Sequence, residues 1–185
     1  MSEHVVLFAG PMGAGKTTAI SSLSDIEVVA TEALNTDRAS FDKPTTTVAL
    51  DYGEIAIGPE EKVRLYGVPG QRRFSFMWTI LAERARGLVL LVNNDADDPI
   101  ALVLEYLDEF QELHARGAVV VGVTRTDLSP APQVEDYADA IGRARPGHVI
   151  PVLPVDPRDP GHMRLALMSL IVNLETRAAL AGAHS

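Results

Sequence analysis

The chain contains no cysteine, so neither a disulfide framework nor a cysteine-ligated metal centre is open to it. It also lacks any cluster of Lys and Arg. Sixteen basic residues against 25 acidic ones leave a net charge of −9, which argues against a nucleic-acid partner, because phosphate backbones are bound through clustered cations. No apolar run is long enough for a transmembrane segment, and neither terminus carries an acylation or prenylation motif. With no signal-peptide pattern at the start, a cytoplasmic location is the expectation. Internal repeats and low-complexity segments are absent. His4, His114, His148, His162 and His184 never have the spacing that sets two ligands on one helix face, so they read as surface or satisfied core residues. What remains is an ordinary globular composition. With 46% apolar and 22% charged residues, the 185-residue chain has room for one domain, 1–185, around one substantial core.

Apolar runs alternate with segments of helical period, the pattern of an α/β domain with a mostly parallel central sheet. Candidate strands are 4–9, 47–57, 62–67, 87–93, 118–124 and 148–155, six in all. The second and third are joined by Gly58-Pro59-Glu60-Glu61, short enough for a hairpin, so one strand should run antiparallel to the rest. A helix over 99–115 starts at Asp98-Pro99 and gathers Ile100, Val103, Leu104, Leu107 and Phe110 on one face. The last helix, about 160–180, repeats Met163, Leu167, Leu170, Ile171 and Leu174 at the same spacing, as a core-packing face. Further helices are expected over 75–85 and 133–144. Segment 25–46 has no clear period and reads as a long functional loop.

Directly after the first strand stands Gly10-Pro11-Met12-Gly13-Ala14-Gly15-Lys16-Thr17, a complete G-x-x-x-x-G-K-[ST] pattern. Glycines let successive backbone N–H groups turn inward on a phosphate chain, Lys16 reaches the β/γ oxygens, and the Thr17 hydroxyl is a ligand for Mg²⁺. The helix-like Lys16-Thr17-Thr18-Ala19-Ile20 that follows is the context this loop requires, and the implied ligand is a nucleoside triphosphate.

The loop is joined by Leu65-Tyr66-Gly67-Val68-Pro69-Gly70-Gln71, by Thr124-Arg125-Thr126-Asp127, and by Pro154-Val155-Asp156-Pro157-Arg158, each after a candidate strand. Together these resemble the loops of Ras-like small GTPases, in order and over nearly the whole chain. The segments Leu23-Ser24-Asp25-Ile26 to Thr31-Glu32-Ala33, Asp51-Tyr52-Gly53-Glu54-Ile55 and Phe76-Met77-Trp78 are similar to a bacterial branch that includes MglA-type and conservon-type GTPases. The resemblance implies a P-loop, three-layer sandwich that binds GTP or GDP with Mg²⁺, hydrolyses GTP slowly and acts as a regulatory switch. It implies nucleotide contacts from Gly10, Met12, Gly13, Ala14, Gly15, Lys16, Thr17, Thr18, Gly70, Thr124, Arg125, Asp127, Asp156 and Pro157. Lys16 and Gln71 would be catalytic, with Gln71 orienting water. Thr17 and one threonine of Thr45-Thr46-Thr47, Thr47 by preference, would hold the metal. A regulatory protein partner, of roadblock-dimer type in that branch, is expected to read the surface around Phe74, Phe76 and Trp78.

Four positions depart from the family pattern. Gly67 stands where an aspartate holds a metal-bound water, so another carboxylate must substitute or the metal is held more weakly. Met12 replaces a glycine and crowds the γ-phosphate. Thr124-Arg125 replaces Asn-Lys, with weaker bracing of the phosphate loop expected. Pro157 replaces a residue whose N–H touches guanine O6, and proline has no N–H. Two rival readings stay open: a P-loop kinase or ATPase, against which stands the lack of an Arg-rich lid, and a scaffold that holds nucleotide with negligible turnover, which Met12 and Gly67 favour.

Overall fold

A computed structural model describes residues 2–33 and 48–183 of the chain. Seven strands form one sheet among these residues, in the order β2-β3-β4-β1-β5-β6-β7. They are β1 (Ser2–Ala9), β2 (Val29–Ala33), β3 (Val48–Ala56), β4 (Glu61–Gly67), β5 (Gly87–Asn93), β6 (Val119–Thr124) and β7 (Val152–Pro154). β3 pairs antiparallel with β2 and with β4, and all other neighbours pair parallel. The helices are α1 (Lys16–Leu23), α2 (Ser75–Arg84), α3 (Pro99–Glu109), α4 (Gln111–Ala115), α5 (Val134–Ala144) and α6 (Pro160–Ala183), with a 3₁₀ turn at Arg72–Phe74.

The central strands are covered on both faces, which is why they read as unbroken apolar runs. Leu7 and Ala9 of β1, with Leu88, Leu90 and Val92 of β5, point to the side of α2, α3 and α5. Val6, Phe8, Val89 and Leu91 point to the side of α1 and α6. The period of two thus divides one sequence run between two half-cores.

Three expectations change. The sheet has seven strands rather than six, because residues 29–33, inside the expected loop 25–46, form edge strand β2. Its backbone is led there by side-chain bonds: the Ser24 hydroxyl donates to Ile26 O at 2.8 Å, and the Asp25 carboxylate accepts from Ala56 N–H of β3 at 2.8 Å. Val29 is 46% exposed, so this edge strand buries too little to show an apolar period. The helix expected over 99–115 breaks at Phe110, where φ −105° and ψ 34° leave the helical region and separate α3 from α4. The strand expected over 148–155 is only Val152–Pro154. Ahead of it, the Val149 carbonyl accepts from Asn173 Nδ2 at 3.3 Å, so a helix side chain satisfies backbone that a ladder would have used.

Candidate functional site

Five parallel strands end at one edge of the sheet, and the loops leaving β1, β4, β5, β6 and β7 gather there, as ligand sites do in open α/β sheets. The phosphate loop leaves β1 at Gly10, where φ is 137° and a Cβ would lie 2.0 Å from Leu91 O of β5; only glycine passes this point. Lys16 Nζ lies across the loop and donates to Gly10 O at 2.8 Å and Pro11 O at 2.9 Å. Burial pushes its ammonium down to about 8, an effect that the charge of Asp51 opposes. Met12 is 66% exposed at the loop's crest, so it is no packing residue.

Thr17 Oγ1 donates to a carboxylate oxygen of Asp51 on β3. Asp51 is a candidate for the substitute carboxylate that Gly67 calls for. β3 and β4 pair so that Asp51 faces Gly67, and a Cβ on Gly67 would lie 3.1 Å from Asp51 Cβ and 3.2 Å from its Oδ2. Asp51 thus reaches across from the neighbouring strand into the space that Gly67 leaves, next to the position where the family resemblance led one to expect an aspartate. Two hard oxygen donors meet here, a hydroxyl and a carboxylate. Mg²⁺ takes such a set, since it keeps several waters and completes its shell with phosphate oxygens. No group of three or more His, Cys, Asp or Glu among the described residues forms an all-protein cage. Thr45, Thr46 and Thr47 lie outside the described residues.

Past β4, Gly70 lies against the phosphate loop: a Cβ there would be 2.7 Å from Gly10 O and 2.8 Å from Met12 N. Gln71 follows at the start of the 3₁₀ turn, half-buried. The segment is tied to the helices behind it. Trp78 Nε1–H donates to Pro69 O at 3.0 Å while its ring stacks on Tyr106 and Phe110, with centroids 5.1 and 5.7 Å away. Arg72 pairs with Glu105 of α3. Trp78 is thus a core residue, 3% exposed, and not part of an outer aromatic surface; Phe76 and Ile80, four apart on α2, are the exposed apolar pair.

The other half of the site is a cavity of about 760 Å³ that brings together Gly13, Ala14, Gly15 and Thr18 with Thr124, Arg125, Asp127, Asp156 and Pro157. Arg125, at φ 59°, sends Nη2 to Gly13 O at 3.0 Å and Nη1 to Asp95 at 3.1 Å, so the phosphate loop is braced by the residue expected to brace it less well. Thr124 is 2% exposed, its hydroxyl turned to Val92 O at 3.2 Å. Asp127 lies exposed at the cavity wall. Its loop is held by buried Asn94, which donates to Ser129 O at 2.7 Å and Pro132 O at 3.1 Å and accepts from Tyr137 at 2.6 Å.

Opposite, the Pro157 ring packs where a Cβ of Gly15 would be, 2.7 Å from it. The two N–H groups that flank Pro157 are already used. Asp156 N–H donates to His162 Nδ1 at 3.1 Å, and Arg158 N–H to Asp156 Oδ1 at 3.0 Å. Bonding from the Arg158 side chain and backbone holds the Asp156 carboxyl down to about 2. His162 and Asp95 were missed from sequence because nothing in their own neighbourhood signals the partner each one meets.

No protein-family model matches the chain, and no curated protein matches it in sequence. Solved structures do match in shape. The G domain of the T. maritima FeoB iron transporter superposes with a TM-score of 0.60 at 16% identity, over 96% of this chain and 99% of that one. The Arl6 BBS3 small GTPase from Trypanosoma brucei, solved with the nucleotide analogue GppNp, gives 0.68 at 11% identity, over 95% and 99%. The chain has the P-loop fold of the small GTPases: a mostly parallel sheet with helices on both faces and one reversed strand.

Proposed function

We propose that this chain binds guanine nucleotides with Mg²⁺ and hydrolyses GTP slowly, serving as a regulatory switch of the MglA-type or conservon-type branch. The observation that carries the reading is the Thr17–Asp51 contact beside a complete phosphate loop, at the place where Gly67 leaves the usual carboxylate out. Thr17 and Asp51 would hold Mg²⁺, Asp51 directly or through a water, with Thr47 a third candidate. The ion, when bound, neutralises charge between the β- and γ-phosphates. Lys16, already aimed across the loop, meets the β/γ oxygens. Gln71, next to a glycine that abuts the loop, orients the water that attacks the γ-phosphorus, and the bond to the β–γ bridging oxygen breaks to leave GDP and phosphate. Asp127 accepts from guanine N1–H and the 2-amino group. With Pro157 lacking an N–H and its neighbours' N–H groups in use, the donor nearest to hand for O6 is Arg158 Nη1, on the cavity wall, since its Nε and Nη2 are held by Asp156.

The switch reading rests on the tether from Pro69 to Trp78, which links the segment beside the γ-phosphate to α2. Exposed Phe76 and Ile80 then form the patch that a regulatory partner, such as a roadblock-type dimer, reads. A scaffold that holds nucleotide with negligible turnover is the second reading, favoured by Met12 at the loop's crest. GTP turnover measured with and without Mg²⁺ tests the choice. Phosphate release that needs Mg²⁺ and falls in Gln71→Leu supports the switch; tight retention without release supports the scaffold. Trp78 is the chain's only tryptophan, so its fluorescence should change when GTP replaces GDP.

A further inference from the structure

α6 is apolar on two sides. Met163, Ala166, Leu167 and Leu170 are buried against the sheet and α1. The opposite side exposes Leu165 at 54%, Met168 at 62% and Val172 at 57%, a stripe at spacings of three and four. Gly161 and Ala179, both exposed and small, continue the stripe at its two ends. Arg164 and Glu175 lie together on one edge of it, both exposed, and neither has an ion-pair partner among the described residues.

We infer that this outer face of α6 is a self-association surface, on which a second copy of the chain packs its own α6 antiparallel, with Arg164 of each copy beside Glu175 of the other. The positions agree on one two-fold axis near residue 170. An axis at residue 170 sets Gly161 opposite Ala179 and Met168 opposite Val172, and leaves Arg164 one residue, about 1.5 Å, out of register with Glu175, an offset that two long side chains span. Eleven residues separate the two charges, about 16 Å of helix, and their midpoint falls about half a residue from that axis. Both charges sit on the same edge, so the axis leaves both ion pairs on one side of the seam, as in antiparallel coiled coils. A parallel arrangement would carry the charged edges of the two copies to opposite sides of the seam and leave both Arg164 and Glu175 without a partner across it. Small residues at the ends let the backbones approach there. The chain's net charge of −9 disfavours an anionic lipid surface as the occupant instead.

One helix pair is at the small end of stable interfaces, so a dissociation constant of about 10–100 µM is expected. Sedimentation of the full chain over a concentration series tests this, with circular dichroism confirming that each variant is folded. The expected result is a monomer–dimer equilibrium that Met168→Glu abolishes. Arg164→Glu and Glu175→Arg should each weaken it about tenfold, and the double reversal Arg164→Glu with Glu175→Arg should restore it. A chain that stays monomeric at about 200 µM overturns the inference. So does a dimer that survives Met168→Glu, or a double reversal no tighter than the single ones.

Discussion

The phosphate side and the base side of the site solve their problems with different materials. On the phosphate side the work is done by backbone and by one lysine: glycines at Gly10 and Gly15, and Lys16 over the loop carbonyls. Only one side chain there, Asp51, comes from a distant strand. On the base side most of the work is side-chain chemistry, much of it reached from afar, with Arg125 on Gly13 and Asn94 under the Asp127 loop, and Asp156 locked to Arg158 within its own loop. Backbone geometry constrains sequence tightly, whereas a hydrogen bond can be supplied by several residue types from several places. The first half therefore keeps a recognisable spelling and the second drifts.

If that division holds, damage should be deepest on the phosphate side. Lys16→Ala should cost GTP affinity about 3 kcal/mol or more, a factor above about 100, with the circular dichroism spectrum unchanged because no core contact is lost. Near-native affinity in a calorimetric titration would erase the distinction between the halves. Asp127→Asn should cost about 10- to 100-fold in GTP affinity and move preference toward xanthine, measured by competing GTP against XTP. An unchanged ratio means that residues 124–127 do not read the base.

Asp51 sharpens the comparison, because it is the one borrowed group on the phosphate side. Asp51→Asn should weaken Mg²⁺-dependent GTP binding about tenfold or more and leave Mg²⁺-free GDP binding nearly alone. The exchange Asp51→Gly with Gly67→Asp should recover most of the loss, since the register places the two residues opposite each other. A double variant no better than Asp51→Asn would show that the carboxylate acts from β3 only.

Lys16 also sets a pH dependence. Burial holds its folded-state pKa at about 8, below the ordinary lysine value of 10.5, so below pH 8 it is charged in both folded and unfolded states. Triphosphate binding favours the charged form. Affinity should be flat below about pH 7 and fall by up to about tenfold per unit above pH 8, in titrations at constant ionic strength. Folding stability responds oppositely: the cost of burying the charge is relieved as pH rises from 8 toward 10.5. The smallest effect concerns rate. Intrinsic turnover should be about 10⁻⁴ per second; Met12→Gly should raise it a few-fold and Gln71→Leu should lower it, in single-turnover phosphate release. A rate that Met12→Gly leaves unchanged removes the crowding argument.

The sequence made the sheet's central strands, a reversed strand in the hairpin of β3 and β4, α1 and the phosphate loop legible, because each depends on local pattern; that the reversed one is β3 came from the pairing. β2 was hidden because an edge strand with Val29 exposed carries no apolar alternation. The break at Phe110 was hidden because both helix pieces keep their apolar residues on the same side of the core. In the site, Asp51 could be read only as an unassigned polar residue, since its meaning lies in the pairing with Gly67 sixteen positions on. Arg125 meets Gly13 across 112 residues, a contact no window reveals. Trp78, expected near a partner surface, is drawn inward by stacking on Tyr106 and Phe110.

The central claim is that a guanine nucleotide sits across both halves, and parallel calorimetric titrations of the protein with GTP and ATP in Mg²⁺ test it most directly. The account predicts one GTP bound per chain, at least about tenfold tighter than ATP, since Asp127 leaves adenine without matching donors. ATP binding as tightly as GTP, or neither binding at all, would contradict it.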